Sequence, residues 1–374
     1  MFEDGGPPRP DVPPPPAPPA KPLPRRLVLF PVVAVLVVVA VVAARRLTDD
    51  DEPGPVAAGP VPADPSAGCG RPTGVSAGAE LLQLDEGDGR EGRTYVREVP
   101  SAHDGTTPLP LVVDLHGFAG NALAQADYTG LGATGEAEGF VTLTPQGRGD
   151  PAAWDALPGS ADIAFFGRLL DRAEADLCLD RNRVYAAGLS NGAMLASTLA
   201  CVAGDRVAAV GAVAGVSAVI PVGVPASESC PSGRRVPIVA FHGTDDRVVR
   251  FDGGLGPGVA DLPAPDGRTI GDIVRRSDLS VPEIMAVWAE RDGCDGDPGP
   301  AVPVEGDVSL VAYDCPDGVA VELYVVDGGG HHWPGAREDP AYAPLAEAID
   351  ELGEPSPVSA NDLMWSFFAR HPRR

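Results

Sequence analysis

Arg183-Val184-Tyr185-Ala186-Ala187-Gly188-Leu189-Ser190-Asn191-Gly192-Ala193-Met194 is the stretch that decides the fold. Residues 183–187 read as a buried strand. From Asn191 to Val202 the pattern is rich in Ala, Leu and Met and reads as a buried helix. Between them lies Gly-x-Ser-x-Gly. A nucleophilic serine must stand on a sharp turn between strand and helix, and flanking glycines permit the close packing of that turn. The five-residue pattern is short enough to arise by chance. Its weight comes from the strand before it and the helix after it.

Further strands are expected at Arg93–Val99, Leu109–Leu115, Phe140–Thr144, Val207–Val213, Ile238–Phe241 and Val319–Val326. Ile163, Phe166, Leu170, Ala173 and Leu177 form one helical stripe. Ser280-Val281-Pro282-Glu283 is a capping box that opens a helix through Met285 and Trp288, and Val358–Arg370 makes a last helix. Alternating strands and helices predict an α/β fold, with a mostly parallel sheet covered by helices on both faces. Ligands of such sheets bind at the carboxyl ends of strands.

Three other motifs end predicted strands. Leu115-His116-Gly117-Phe118 can turn a backbone amide toward a developing oxyanion, with the amide of Asn191 as second donor. Phe241-His242-Gly243-Thr244-Asp245-Asp246 offers an acid to orient a histidine. Gly328-Gly329-Gly330-His331-His332-Trp333-Pro334-Gly335 offers a mobile backbone and two adjacent histidines out of six in the chain. Residue chemistry alone leaves Asp245 or Asp246, and His331 or His332, open. The chain order Ser…Asp…His is that of α/β-hydrolases. No C-x-x-C pair exists, so a metal site has little support. A serine mechanism needs no cofactor.

These stretches, with Thr144-Pro145-Gln146-Gly147 and Pro110–Gly117, resemble the secreted esterases grouped as polyhydroxybutyrate depolymerase, feruloyl esterase and acetylxylan esterase-like proteins. The resemblance covers roughly residues 69–368. It implies an α/β-hydrolase fold and a serine carboxylic-ester hydrolase, with Ser190 as nucleophile, Asp246 as acid and His331 as base. The substrates implied are feruloyl or acetyl polysaccharide esters or short polyhydroxyalkanoates, polymers included. Trp154, Trp333, Phe118 and His332 are candidate pocket residues. The family's cysteine pattern implies disulfides Cys178–Cys201 and Cys294–Cys315, and Cys69–Cys230. An acyltransferase or serine peptidase on the same fold is the alternative, as is a non-catalytic surface-binding protein.

Outside the resemblance the chain changes character. Residues 1–26 form a Pro-rich tail, with 11 prolines before residue 25. Leu27–Ala44 is an unbroken run of 18 uncharged residues bracketed by Arg25-Arg26 and Arg45-Arg46. At about 1.5 Å per residue it nearly matches a hydrocarbon core of about 30 Å. Its length, and the 26 residues before it, favour an uncleaved transmembrane helix over a cleaved signal peptide, which is the alternative. The basic N-terminal flank predicts a cytoplasmic tail and an extracellular body. Residues 45–76 read as an acidic Pro/Ala/Gly-rich linker and 77–374 as the esterase domain. All six cysteines follow the apolar run, as export into an oxidising compartment predicts. The net charge of −25 excludes nucleic acid as a natural partner. No obligate protein partner is implied.

Overall fold

The computed structural model describes residues 61–374 apart from 72–73, 87–88, 90, 220–229, 231–232, 257–258, 262–268, 270–278 and 337–354. The Pro-rich tail, the apolar run 27–44 and the first part of the linker lie outside the described residues. Among the described residues no helix is long and apolar enough to cross a membrane.

The strands are β1 (Gly78–Leu84), β2 (Arg93–Val99), β3 (Leu109–Leu115), β4 (Val141–Pro145), the short pair β5 (Arg148–Gly149) and β6 (Ala152–Ala153), β7 (Leu179–Leu189), β8 (Ala209–Val213), β9 (Ile238–Gly243), β10 (Val302–Glu305), β11 (Val308–Ala312) and β12 (Val321–Val326). Ten of them form one sheet in the order β1-β2-β4-β3-β7-β8-β9-β12-β11-β10. β4, β3, β7, β8, β9 and β12 run parallel, and antiparallel strands close both edges. The chain moves outward from β3 to β4, then crosses back to place β7 on the other side of β3. That reversal opens a crevice at the carboxyl ends of β3 and β7.

The helices are α1 (Ala122–Thr129), α2 (Leu131–Glu138), α3 (Ala161–Asp176), α4 (Asn191–Val202), α5 (Val281–Asp292) and α6 (Ala360–Arg370). Side chains alternate across a strand, and the core divides accordingly. Leu111, Val113 and Leu115 of β3 join Leu169, Leu195 and Trp288 from α3, α4 and α5. Val112 joins Tyr128, Leu131, Met364 and Phe367 on the opposite face. Burying each such side chain contributes about 1.5–3 kcal/mol. Both faces are therefore covered, as the sequence pattern predicts. The Ser280 capping box forms as expected, with Glu283 Oε2 accepting from Ser280 N at 2.7 Å.

Two expectations change. Residues 61–70, assigned to the linker by composition, pack on the start of β7. Ser66 N donates to Leu179 O at 2.8 Å, and Ser66 Oγ donates to Leu177 O at 2.6 Å. This docking carries Cys69 to Cys178, with Cα atoms 4.1 Å apart. Cys201 then bonds Cys230. The expected Cys178–Cys201 and Cys69–Cys230 pairs do not form, whereas Cys294–Cys315 does. All six cysteines are thus in disulfides.

Candidate active site

Ser190 ends β7 and starts α4 with φ 54° and ψ −116°. A positive φ at a residue with a side chain costs about 1–3 kcal/mol and persists only where neighbours impose it. The neighbours here are backbone. A Cβ at Gly192 would stand 2.1 Å from Leu115 O, and one at Gly188 would stand 2.4 Å from the Gly192 carbonyl carbon. Only glycine lets β3, β7 and α4 approach so closely. Ser190 N donates to Val213 O at 2.8 Å, which ties the turn to β8.

Asp246 lies beyond β9 and His331 beyond β12. Because β7, β8, β9 and β12 are successive parallel neighbours, Ser190, Asp246 and His331 all leave the same edge of the sheet. His331 Nδ1 is 2.8 Å from Asp246 Oδ2, with both side chains buried. Asp246 Oδ1 accepts from Val248 N at 2.8 Å and Val249 N at 2.9 Å. A further histidine, His242, places Nε2 3.2 Å from Asp246 Oδ2 and 2.8 Å from Val249 O. Burial opposes ionisation of Asp246. His331 and the hydrogen bonds from both imidazoles outweigh it and hold the carboxyl well below the usual carboxylate range. Asp245 is exposed and pairs with Arg247 at 3.1 Å, and so plays no part in this cluster. The two loops are joined as well. Asp245 N donates to Gly329 O at 2.9 Å, and a Cβ at Gly243 would stand 2.0 Å from Gly329 O.

The loop after β3 packs against the serine, since a Cβ at Gly117 would lie 3.5 Å from Ser190 Cβ. His116 is fully buried, and burial pushes its pKa down to about 4 against the bond to Gly117 O that raises it. Its Nδ1 is 2.7 Å from Gly117 O, and its Nε2 accepts from Gly147 N at 2.8 Å. Asn191 is clamped through its side chain: Oδ1 accepts from Trp154 N at 2.7 Å and Nδ2 donates to Trp154 O at 3.1 Å. Trp154 Nε1 in turn donates to His116 O at 2.9 Å. One tryptophan thus joins the β3 loop to the first residue of α4. The main-chain amide of Asn191, in the first turn of α4, has no intrahelical acceptor.

The expected pocket residues fare differently. Trp154 and Trp333 are each 1% exposed. Trp333 Nε1 donates to Asn361 Oδ1 at 2.9 Å, and its backbone N donates to the Tyr128 hydroxyl at 3.1 Å. Neither indole has a free face, so neither walls a pocket. Both instead anchor loops to the core, because a buried indole N–H needs an acceptor and finds one there. His332 lines a small recess with Pro334 and Ser356, a recess that Ser190, Phe118 and Asn191 do not line. Phe118 alone remains half-buried at the site. It packs with Val248, Val249, Leu255 and Val259 from the segment after β9. Sequence reasoning gave no role to His242, to the His116 ring or to the Asn191 side chain. The first two do stand in the His-Gly motifs it singled out.

Residues 95–240 match the family described as Esterase PHB depolymerase. Feruloyl esterase B of Piromyces equi is 26% identical over 245 residues, covering 64% of this chain and 42% of that protein. A putative esterase, NocK, of Nocardia uniformis subsp. tsuyamanensis is 32% identical over 241 residues, covering 60% of this chain and 66% of that one. A probable feruloyl esterase C of Aspergillus clavatus is 29% identical over 197 residues, covering 51% and 65%. The chain therefore spans less than half of the Piromyces protein and about two thirds of the other two. Among solved structures, an acetyl xylan esterase from Aspergillus awamori superposes with a TM-score of 0.52 over 73% of this chain and 99% of that one, at 15% identity. That likeness shows a shared fold. Residues 95–240 thus carry the Esterase PHB depolymerase family match, and the relatives similar to this chain over longer stretches are esterases by name.

Proposed function

We propose that the protein is a serine carboxylic-ester hydrolase acting on extracellular esters. The observation that carries this reading is the buried Asp246–His331 bond on the strand-end edge that also holds Ser190 on its strained turn. With Nδ1–H held by Asp246, His331 presents Nε2 as the base that takes the Ser190 proton during attack on the ester carbonyl. The amides of Asn191 and Phe118 receive the oxyanion, each worth about 3–4 kcal/mol in such sites. His331 then protonates the leaving alcohol, and water repeats the cycle on the acyl-enzyme. Feruloyl and acetyl polysaccharide esters are the substrate class that the relatives' names suggest. Phe118, half-buried and backed by the buried Val248 and Val259, gives an apolar surface for the acyl or aryl group. Ser190→Ala is expected to abolish hydrolysis of p-nitrophenyl butyrate and labelling by a fluorophosphonate, with Tm unchanged. Retention of most of the activity would overturn the reading.

The anchor is part of the same proposal. Eighteen uncharged residues between paired arginines support a membrane helix, and three disulfides beyond it support an oxidising exterior. In expressing cells the enzyme should sediment with membranes and be shaved off intact cells by protease. Full recovery from the medium, shortened after residue 44, would show cleavage instead.

A further inference from the structure

The Thr144-Pro145-Gln146-Gly147 motif and the His116 ring belong to no step so far, yet they touch. Gly147 N can only donate, so His116 Nε2, at 2.8 Å, must be the unprotonated nitrogen. Nδ1 therefore carries the hydrogen and donates it to Gly117 O at 2.7 Å. Gln146 adds a second lock. Its Nε2 lies 3.4 Å from His116 Nε2, and its Oε1 accepts from Ala122 N at 3.0 Å, at the start of α1. The ring is buried, neutral and held in one tautomer.

Gly117 O belongs to the peptide whose other end is the Phe118 N–H. That peptide is trans, the Asp150–Pro151 bond being the cis bond among the described residues. In a planar trans peptide the carbonyl and the N–H point in opposite directions. Whatever fixes the carbonyl fixes the N–H. The amides that follow are already engaged, Ala119 N with Ala152 O at 2.8 Å and Gly120 N with Gly117 O at 3.1 Å.

We propose that His116 is the positioning residue of the oxyanion hole: its Nδ1–H holds the Gly117 carbonyl and so aims the Phe118 N–H at the oxygen of the ester bonded to Ser190. This rests on the serine-hydrolase reading above. His116 touches no reacting atom. It replaces the reorganisation that a free Gly117–Phe118 peptide would undergo as charge develops.

Two amide replacements separate the ring's two bonds. An asparagine places its Nδ2–H where the imidazole has Nδ1–H, and so keeps the donor to Gly117 O. A glutamine places its amide at the Nε2 position, and so keeps the partner of Gly147 but loses that donor. His116→Gln is expected to lower kcat for p-nitrophenyl butyrate by about 10–100-fold, with KM within about twofold. Affinity for an alkyl trifluoromethyl ketone, which adds to the serine and forms an oxyanion, should fall in step. His116→Asn should recover kcat to within about threefold of wild type. Fluorophosphonate end-point titration normalises each rate to folded enzyme. Equal losses in both variants, or a kcat loss with unchanged ketone affinity, would overturn the role of His116. If wild type itself fails to bind the ketone, the serine-hydrolase reading fails first.

Discussion

Two strands of the sheet end in the same dipeptide. β3 ends at Leu115 and continues with His116-Gly117, and β9 ends with His242-Gly243. Both imidazoles are buried, at 0% and 1% exposure. Their hydrogen bonds run in opposite senses. His116 Nε2 accepts a backbone N–H and its Nδ1–H donates. His242 Nε2 faces two acceptors, Val249 O and Asp246 Oδ2, and so carries the hydrogen itself, while Nδ1 has no partner among the described residues. The first ring holds only neutral groups beside Ser190: two of the backbone and the Gln146 amide. The second helps hold the Asp246 charge beside His331. The same two residues at the same edge of one sheet become a positioner of a peptide in one case and a partner of a carboxylate in the other. The difference lies wholly in which segment folds over each ring: Gln146-Gly147 over His116, and the turn 246–249 over His242.

Asp246→Asn should break the charged side of this comparison most severely. Asparagine can keep the bonds from Val248 N and Val249 N, but it turns an N–H toward His331 Nδ1. The base then adopts the wrong tautomer, and kcat should drop about 10³–10⁴-fold with little loss of fold. Circular dichroism alongside the rate separates the two effects. Next in size is the His116→Gln loss of about 10–100-fold, which isolates the neutral side. His242→Phe should have the smallest effect on rate, about 3–10-fold in kcat, with about 1.5–3 kcal/mol lost in stability, as for one bond to a charged group.

The pH dependence set by Asp246 has a definite sign. The folded pKa of Asp246 is depressed, so its charge contributes stability above the unfolded value of about 3.9 and loses it as pH falls toward the folded value. The Tm of wild type is therefore expected to fall as pH drops below about 4 and the Asp246 charge loses its contribution, a fall that Asp246→Asn should lack. An equal fall in both proteins between about pH 4 and pH 2 would show that the Asp246 charge contributes no stability.

Much of the fold can be read locally. β2 and β3 stand where hydrophobic runs bounded by turns place them, and α4 follows Ser190 directly because strand, glycine turn and helix are adjacent in the chain. α1 and α2 escape notice because Gly130 and Gly139, both in the left-handed region, stop each after eight residues. Gly132 and Gly135 further blur the periodicity of α2. β1 and β10 are the two edge strands and β11 lies next to β10; all three have few buried positions, so the alternation that signals a strand is faint.

The sequence by itself determined the order of strand, turn and helix, the chemistry of Ser190 and its flanking glycines, and the presence of an acid and a histidine after later strands. These are properties of short runs, whose periodicity and side-chain chemistry need no knowledge of distant contacts. Only the tertiary structure shows that Asp246 rather than Asp245 bonds His331, since adjacent residues of one chemistry differ only in what they face. It likewise paired Cys69 with Cys178, turned two tryptophans from expected pocket walls into buried anchors, and set opposite tautomers on His116 and His242. Each of those outcomes depends on groups far apart in the chain or on a hydrogen-bond partner brought in by folding, and no local pattern encodes either.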